Sequence, residues 1–134
     1  MKKILSVYSL YYEDIVTRMT KLAYKEFPKK YFKVHKMEAP GSFEIPLIIS
    51  KHIKNYDAVL ALGCIIKGET PHFDYISKAS IDSLMKLSLK HNKPIGNGII
   101  TCLNKKQAIK RSKIKGQEAA NAVIKVLYNF SKYS

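Results

Sequence analysis

The chain has 134 residues, about the length of one domain, and 46% of them are hydrophobic, which excludes a disordered protein. Its formal net charge is +14, from 24 Lys and Arg against 10 Asp and Glu. Two cysteines, Cys64 and Cys102, are too few for a disulfide-stapled secreted scaffold, and no apolar run approaches the ~18 residues of a membrane span.

The amino terminus, MKKILSVYSLYYED, begins with two lysines as a signal peptide does. Its apolar stretch is short, is interrupted by Ser and Tyr, and is not followed by a cleavage site of small residues. We therefore expect a first β-strand here. We also expect a cytoplasmic protein whose cysteines remain reduced.

The positive charge raises the expectation of a nucleic acid or another polyanion as partner. However, 22 of the 24 basic residues are Lys, and only Arg18 and Arg111 offer the planar guanidinium on which base-reading proteins depend. The densest basic group contains no acid: Lys105, Lys106, Lys110, Arg111, Lys113 and Lys115. We interpret this group as a solvated face, with one or two members available to a phosphate on a small substrate. We expect no nucleic-acid partner.

The first half of the chain alternates between strand and helix patterns. Residues 3–9 form a β-prone apolar run, and residues 13–27 place apolar side chains at helical spacing ahead of Pro28. Residues 31–37 alternate between apolar and polar as a strand does, and Pro46 suits the first turn of a second helix.

The second half continues the alternation. Residues 57–66 are nearly all apolar, which is typical of a central parallel strand buried on both faces. Residues 72–91 return to helical spacing, and residues 94–103 form another strand pattern. An Asn-x-x-Gln capping box at 104–107 predicts a helix start, and a final helix is predicted after Gly116.

This order, βαβαβαβαα, predicts a single domain over residues 1–134. We expect an α/β protein with three α/β/α layers, flavodoxin-like, built on a four-stranded parallel sheet with right-handed crossovers. Ligands of such sheets bind beyond the carboxyl ends of the strands. That rule selects four loops: Leu10–Glu13, Ala39–Glu44, Lys67–His72 and Leu103–Lys106.

Several common site motifs are absent from the sequence. There is no GxxxxGK[ST] phosphate loop, no GxGxxG fingerprint and no arrangement like a Ser-His-Asp triad. Cys64 and Cys102 lie in apolar strands without the spacing of metal ligands, so we expect core residues and no metal. His35, His52 and His91 fall at predicted surface positions.

Two segments carry the most specific pattern, APGSFEIP at 39–46 and LGCIIKGETPHFDY at 62–75. With NGIIT at 97–101, QAIKR at 107–111 and KG at 115–116, they resemble the lumazine synthase family of riboflavin biosynthesis over nearly the whole chain. The resemblance implies a cofactor-independent transferase. Such enzymes condense 5-amino-6-(D-ribitylamino)uracil with 3,4-dihydroxy-2-butanone 4-phosphate to give 6,7-dimethyl-8-ribityllumazine, phosphate and water.

The resemblance also assigns site residues. His72 matches the proton-transferring histidine, and Glu69, Thr70 and Arg111 match the residues that bind the butanone phosphate. Glu69 would bind through its backbone N–H, because its carboxylate would repel a phosphate. The positions that match the ribitylaminouracil pocket are Tyr11, Ser42, Phe43, Glu44, Cys64, Ile65, Ile66 and Asn97. Lys115 matches a further lysine, without an assigned role.

Simpler interpretations of these residues remain open. Thr70 would also serve as a helix cap, Arg111 as a surface helix residue, Tyr11 as a loop anchor and Glu44 as the start of a helix. Asn97 stands where many family members have Phe, so its contribution is in question.

The resemblance implies self-association as a homopentamer or multiples of pentamers, with active sites between subunits. Two other functions stay open at this point. One is an archaeal-type riboflavin synthase, which has a related fold. The other is a basic nucleic-acid-binding module, which rests on the net charge alone.

Overall fold

The computed structural model describes residues 1–133, and it shows the expected alternation of strands and helices. Its four strands are β1 (Lys2–Ser9), β2 (Phe32–Ala39), β3 (Ala58–Ile66) and β4 (Ile95–Cys102). The α-helices of the described residues are α1 (Glu13–Tyr24), α2 (Ile45–His52), α3 (His72–His91), α4 (Lys105–Ser112) and α5 (Lys115–Tyr133). Two short 3₁₀ helices, Ser42–Glu44 and Ile53–Asn55, flank α2. None of the helices in residues 1–133 combines the length and hydrophobicity of a bilayer crossing.

All four strands are parallel, in the order β2-β1-β3-β4. The chain therefore winds from β1 outward to β2, returns past β1 to β3, and winds outward again to β4. The direction of winding reverses between β1 and β3, which are adjacent in the sheet. Connections that diverge from adjacent strands leave a crevice at the carboxyl ends of those strands, and this is where such folds bind ligands. The three-layer α/β/α prediction is confirmed.

Strand β3 is buried on both faces, as its continuous apolar sequence predicts. Leu60 and Leu62 face the layer formed by α1, α4 and α5, whereas Val59 and Ala61 face the layer formed by α2 and α3. The sheet thus separates two apolar clusters. Because α1 and α3 lie on opposite faces, their first turns stand on either side of the crevice.

Helix α1 ends at Tyr24 and not at residue 27, so the predicted boundary was wrong. The reason is that the last residue of the helix and a residue shortly after it both have partners on the sheet. Tyr24 Oη lies 2.7 Å from Ser6 Oγ, and the Phe27 ring meets the Phe32 ring edge to face at 5.3 Å. The chain turns early to make these contacts, before Pro28 is reached.

Helix α5 begins at Lys115, two residues ahead of the expected start. Gly116 therefore lies inside the helix, although glycine is a poor helix former. A Cβ at this position would lie 2.7 Å from the Met19 carbonyl oxygen of α1. The missing side chain is what allows α5 to approach α1 so closely.

Two polar expectations had different outcomes. The capping box is confirmed, since Asn104 Oδ1 accepts a hydrogen bond from Gln107 N at 2.9 Å, although the Gln107 side chain accepts from Leu103 N. The expectation that His35 is merely solvated was wrong. It is half-buried, and its Nδ1 lies 2.9 Å from Tyr56 Oη.

The contact between β4 and α5 yields a test of the packing. A Cβ at Gly96 would lie 2.6 Å from the Ala119 carbonyl oxygen and 2.9 Å from both Leu60 Cδ1 and Val123 Cγ2. Because a backbone oxygen cannot rotate aside, we expect Gly96→Ala to lower the free energy of unfolding by about 1–3 kcal/mol in urea titrations. The matched control is Gly68→Ala, whose Cβ would meet no atom within 4 Å. Equal midpoints for the two variants would contradict the close approach of α5.

Candidate active site

A cavity of about 340 Å³ opens at the carboxyl ends of β1 and β3, where the winding reverses. Three of the four loops selected from the sequence contribute to it, and the fourth, Leu103–Lys106, does not. The structure brings together eight of the residues predicted for the site: Tyr11, Ser42, Phe43, Cys64, Ile65, Ile66, Thr70 and His72.

One wall of the cavity is aromatic. Tyr11 is 75% exposed and Phe43 is 61% exposed, although both side chains are large and apolar. Tyr11 meets Tyr12 edge to face, with ring centroids 5.1 Å apart. Exposed rings at the mouth of a cavity offer faces on which a planar heterocycle stacks.

A small buried serine forms part of the wall next to Phe43. Ser42 is buried against β3 beside Gly63, where a Cβ would lie only 2.7 Å from Ser42 Oγ. The absence of a side chain at Gly63 is therefore what lets the segment after β2 pack against β3. Any larger residue at Gly63 would clash with Ser42.

The floor of the cavity is apolar, and the thiol that it contains is not ionised at neutral pH. Cys64 and Cys102 are both buried free thiols, as predicted. Burial raises the pKa of the Cys64 thiol to about 12, with smaller contributions from Cys102 and Asp14, while the Arg111 guanidinium opposes the rise. Cys64 is therefore a neutral thiol that shapes the floor, and it is not a nucleophile at neutral pH.

The third wall is the loop between β3 and α3. His72 is the first residue of α3, its side chain is exposed, and its N–H donates to Thr70 Oγ1 at 3.4 Å. Within residues 1–133, the backbone N–H groups of Gly68, Glu69 and Thr70 have no hydrogen-bond acceptor. These donors stand at the positive end of a 20-residue helix, an arrangement that favours an anion.

The guanidinium of Arg111 lies outside the cavity of its own chain. Its Nη1 donates to the Thr101 carbonyl oxygen at 2.7 Å and lies 3.8 Å from Cys102 Sγ. The side chain is half-buried and tied to the end of β4. These contacts hold the guanidinium in place through Nη1. Its other N–H groups do not take part in them.

Four other predicted residues also lie outside the cavity lining. The Glu44 carboxylate rests beside Gly41, since a Cβ there would lie 3.1 Å from Oε1, and Glu69 is exposed on the loop. Asn97 is exposed on β4, where its Oδ1 accepts from Ile99 N at 3.1 Å. Lys115 Nζ donates to Glu118 Oε2 at 3.2 Å.

Comparison with known proteins agrees with this geometry. The family model for 6,7-dimethyl-8-ribityllumazine synthase matches residues 1–130. The chain belongs to this family. The family resemblance predicted from the sequence is thereby confirmed.

Curated relatives carry the same description. A 6,7-dimethyl-8-ribityllumazine synthase from Sulfurimonas denitrificans is 45% identical over 94 residues, which cover 66% of this chain and 61% of the relative. One from Corynebacterium kroppenstedtii is 42% identical over 90 residues, covering 63% of this chain and 57% of the relative. One from Desulfovibrio desulfuricans is 42% identical over 94 residues, covering 66% and 60%. The matched part of the chain spans about three fifths of the length of these relatives.

Five residues that line the cavity of this family member were not assigned to the site from the sequence. Three of them, Tyr12, Gly41 and Gly68, nevertheless lie in the loops that the strand-end rule selected, and the other two are Phe73 and Ile76. Phe73 and Ile76 occur at helical spacing, which marked them as core residues. Tyr12 follows the predicted Tyr11, and burial raises its pKa, with Tyr11 and Cys64 adding to the shift. Two signals pointed to Tyr12, namely its place in the selected loop Leu10–Glu13 and its adjacency to the predicted Tyr11.

The neutral state of Cys64 is open to measurement. With a pKa near 12, about a thousandfold fewer Cys64 thiols are ionised at pH 8 than in the unfolded chain. We expect iodoacetamide at pH 8 to label Cys64 at least ~100-fold more slowly in the native protein than in urea, with the rate rising steeply toward pH 12. Peptide mass spectrometry measures both rates. Native labelling within tenfold of the unfolded rate would show an ionised, accessible thiol instead.

Proposed function

We propose that the chain is a 6,7-dimethyl-8-ribityllumazine synthase, a transferase of riboflavin biosynthesis that acts without a cofactor. It would condense 5-amino-6-(D-ribitylamino)uracil with 3,4-dihydroxy-2-butanone 4-phosphate, releasing phosphate and water. The observation that carries this proposal is one cavity bordered by an imidazole, a row of unpaired N–H groups and exposed aromatic rings.

The proposed reaction makes three demands on a protein. The amine attacks the ketone to form an imine with loss of one water, phosphate is eliminated, and the ring closes with loss of a second water. Two substrates must therefore be held together, the leaving phosphate must be stabilised, and protons must move near neutral pH. His72 suits the last task, because imidazole gives and takes protons in that range and its ring is exposed at the cavity rim.

The pyrimidine would occupy the aromatic side. Tyr11 and Phe43 offer ring faces, and the Ser42 hydroxyl and the backbone of residues 64–66 offer hydrogen bonds. The Glu44 carboxylate, next to Gly41, would accept from a ribityl hydroxyl. Asn97 would add an amide contact from a neighbouring subunit, since it lies outside the cavity of its own chain.

The phosphate would occupy the opposite end. The N–H groups of Glu69 and Thr70 would bind its oxygens, and Arg111 would supply a bidentate guanidinium. Because Arg111 lies outside the cavity of its own chain, we infer that an adjacent subunit supplies it. Lys115 would add positive charge at the same border.

Self-association supports this arrangement. Large apolar side chains of α3, including Tyr75, Met85 and Leu89, are exposed in the single chain, as are Tyr11 and Phe43 at the cavity. Faces of this kind mark subunit interfaces. We therefore propose a homopentamer or multiples of pentamers with shared sites. We also place the protein in the cytoplasm, which agrees with its two free thiols.

The direct test mixes the full chain with both proposed substrates. The expected result is lumazine absorbance with release of one phosphate per lumazine. Absence of lumazine would contradict the proposal. Formation of riboflavin from lumazine alone would instead identify a riboflavin synthase, and RNA binding without turnover would favour a nucleic-acid-binding module.

His72 is expected to accelerate the reaction without being indispensable. Positioned acid–base catalysis contributes about 10²–10⁴ in rate, while binding of both substrates is retained in its absence. We expect His72→Ala to lower kcat by about that factor in steady-state assays. The matched control, His91→Ala, alters the last residue of the same helix and should leave kcat unchanged. Complete loss of turnover in a folded His72→Ala variant would refute this division of labour.

Shared sites give a distinctive result when two impaired variants are combined. A protein assembled from equal amounts of His72→Ala and Arg111→Ala chains contains sites that draw His72 from one chain and Arg111 from its neighbour. About a quarter of all sites are then intact, so about a quarter of wild-type activity should return. The control is the same two proteins mixed after separate assembly. If co-assembly restores nothing, both residues serve a site within one chain.

A further inference from the structure

A buried serine behind the cavity links two of its walls. Ser9 is the last residue of β1, is only 1% exposed, and is not among the residues that line the cavity. Its Oγ accepts a hydrogen bond from Tyr11 N at 3.3 Å and donates one to the Pro40 carbonyl oxygen at 3.5 Å. One hydroxyl therefore joins the segment that follows β1 to the segment that follows β2.

These two segments carry the exposed rings of Tyr11 and Phe43 at the cavity. Tyr11 belongs to the first, and Gly41–Phe43 directly follow Pro40 in the second. Because the Tyr11 side chain is 75% exposed, packing does little to fix its ring. The ring's position then depends on the backbone of its own loop, which Ser9 anchors. The same hydroxyl bridges the two segments just beyond Ser9↔Ala39, the last pair of the β1–β2 ladder.

We propose that Ser9 is a positioning residue, whose hydroxyl holds the Tyr11 segment and the Pro40–Phe43 segment at the spacing that admits a planar heterocycle. The identity of that heterocycle, the ribitylaminouracil, rests on the proposed function. None of the hydrogen bonds of Ser9 in residues 1–133 reaches the loop at 67–71. The effect is therefore confined to the pyrimidine end of the site.

The test is the Ser9→Ala variant of the full chain, assayed with each substrate varied in turn. Both hydrogen bonds are at the long end of the range, so their loss has a modest effect. We expect KM for the ribitylaminouracil to rise about 3- to 10-fold. KM for the butanone phosphate and kcat should stay within about twofold of wild type. Ser9→Thr keeps the hydroxyl and should restore the pyrimidine KM.

The same strand supplies a matched control. Ser6 is fully buried, and its hydroxyl lies 2.7 Å from Tyr24 Oη, away from the cavity. Ser6→Ala also removes a buried hydroxyl from β1, so it should lower the urea midpoint and leave both KM values unchanged. A rise in the pyrimidine KM for Ser6→Ala equal to that for Ser9→Ala would overturn the proposal, because any loss of a serine from β1 would then suffice.

A second readout needs no substrate. The chain contains no Trp, so Tyr11→Trp introduces a single Trp at the wall, whose emission can be excited selectively over that of the remaining Tyr residues. Adding Ser9→Ala should lower the fluorescence anisotropy of this residue, whereas adding Ser6→Ala should not. Unchanged anisotropy, or an unchanged pyrimidine KM, overturns the positioning role. If the wild-type chain makes no lumazine, the proposed function fails, while anisotropy still decides the role of Ser9.

A second variant covers the case in which Ser9→Ala does not fold. Ser9→Cys is similar in size to the native residue and weaker in hydrogen bonding, so the same changes in KM and anisotropy are expected for it.

Discussion

The parallel pairing of β1 with β3 at the centre of the sheet is the constraint on which the site depends. The register from Ile4↔Ala58 to Tyr8↔Leu62 makes both strands run toward the same edge of the sheet, where β3 continues to Ile66 beyond the end of β1 at Ser9. The chain leaves β1 toward one face and β3 toward the other, so no connection closes the gap between them. Aromatic residues after β1, a free row of N–H groups after β3 and the segment after β2 meet at that gap.

The fold was largely predictable, because its main signals are local. Three patterns formed the elements that they predicted: the apolar run became the buried strand β3, the helical spacing became α3, and Asn104 caps α4. The end of α1 was not predictable, since it depends on contacts of Tyr24 and Phe27 with the sheet. The strand-end rule selected three of the loops that form the cavity. It could not exclude Leu103–Lys106, because that requires knowing that β4 is the far edge strand.

The site itself was predictable to different degrees for different residues. Ser42 and His72 lie in segments that are specific in sequence, whereas Tyr11 lies in a loop that the strand-end rule selected, and the structure gathers all three in one cavity. A serine at the end of an apolar strand, such as Ser9, carries no pattern that distinguishes it from an ordinary core residue. Arg111 is a different case, since a single chain fixes its guanidinium at the end of β4 without giving it a place in the cavity. Its proposed task, binding phosphate, arises only when Arg111 reaches the cavity of an adjacent subunit.

The central claim is that one cavity binds a heterocycle and an anion at opposite ends, with a second subunit completing the anion end. The most direct test is a crystal structure of the assembled protein with an unreactive ribityl-pyrimidine analogue and inorganic phosphate. The account predicts the pyrimidine ring against Tyr11 and Phe43, and phosphate on the N–H groups of residues 68–70 within hydrogen-bond distance of Arg111 from the adjacent subunit. A ring bound away from Tyr11, or a phosphate that no neighbouring guanidinium reaches, would contradict it.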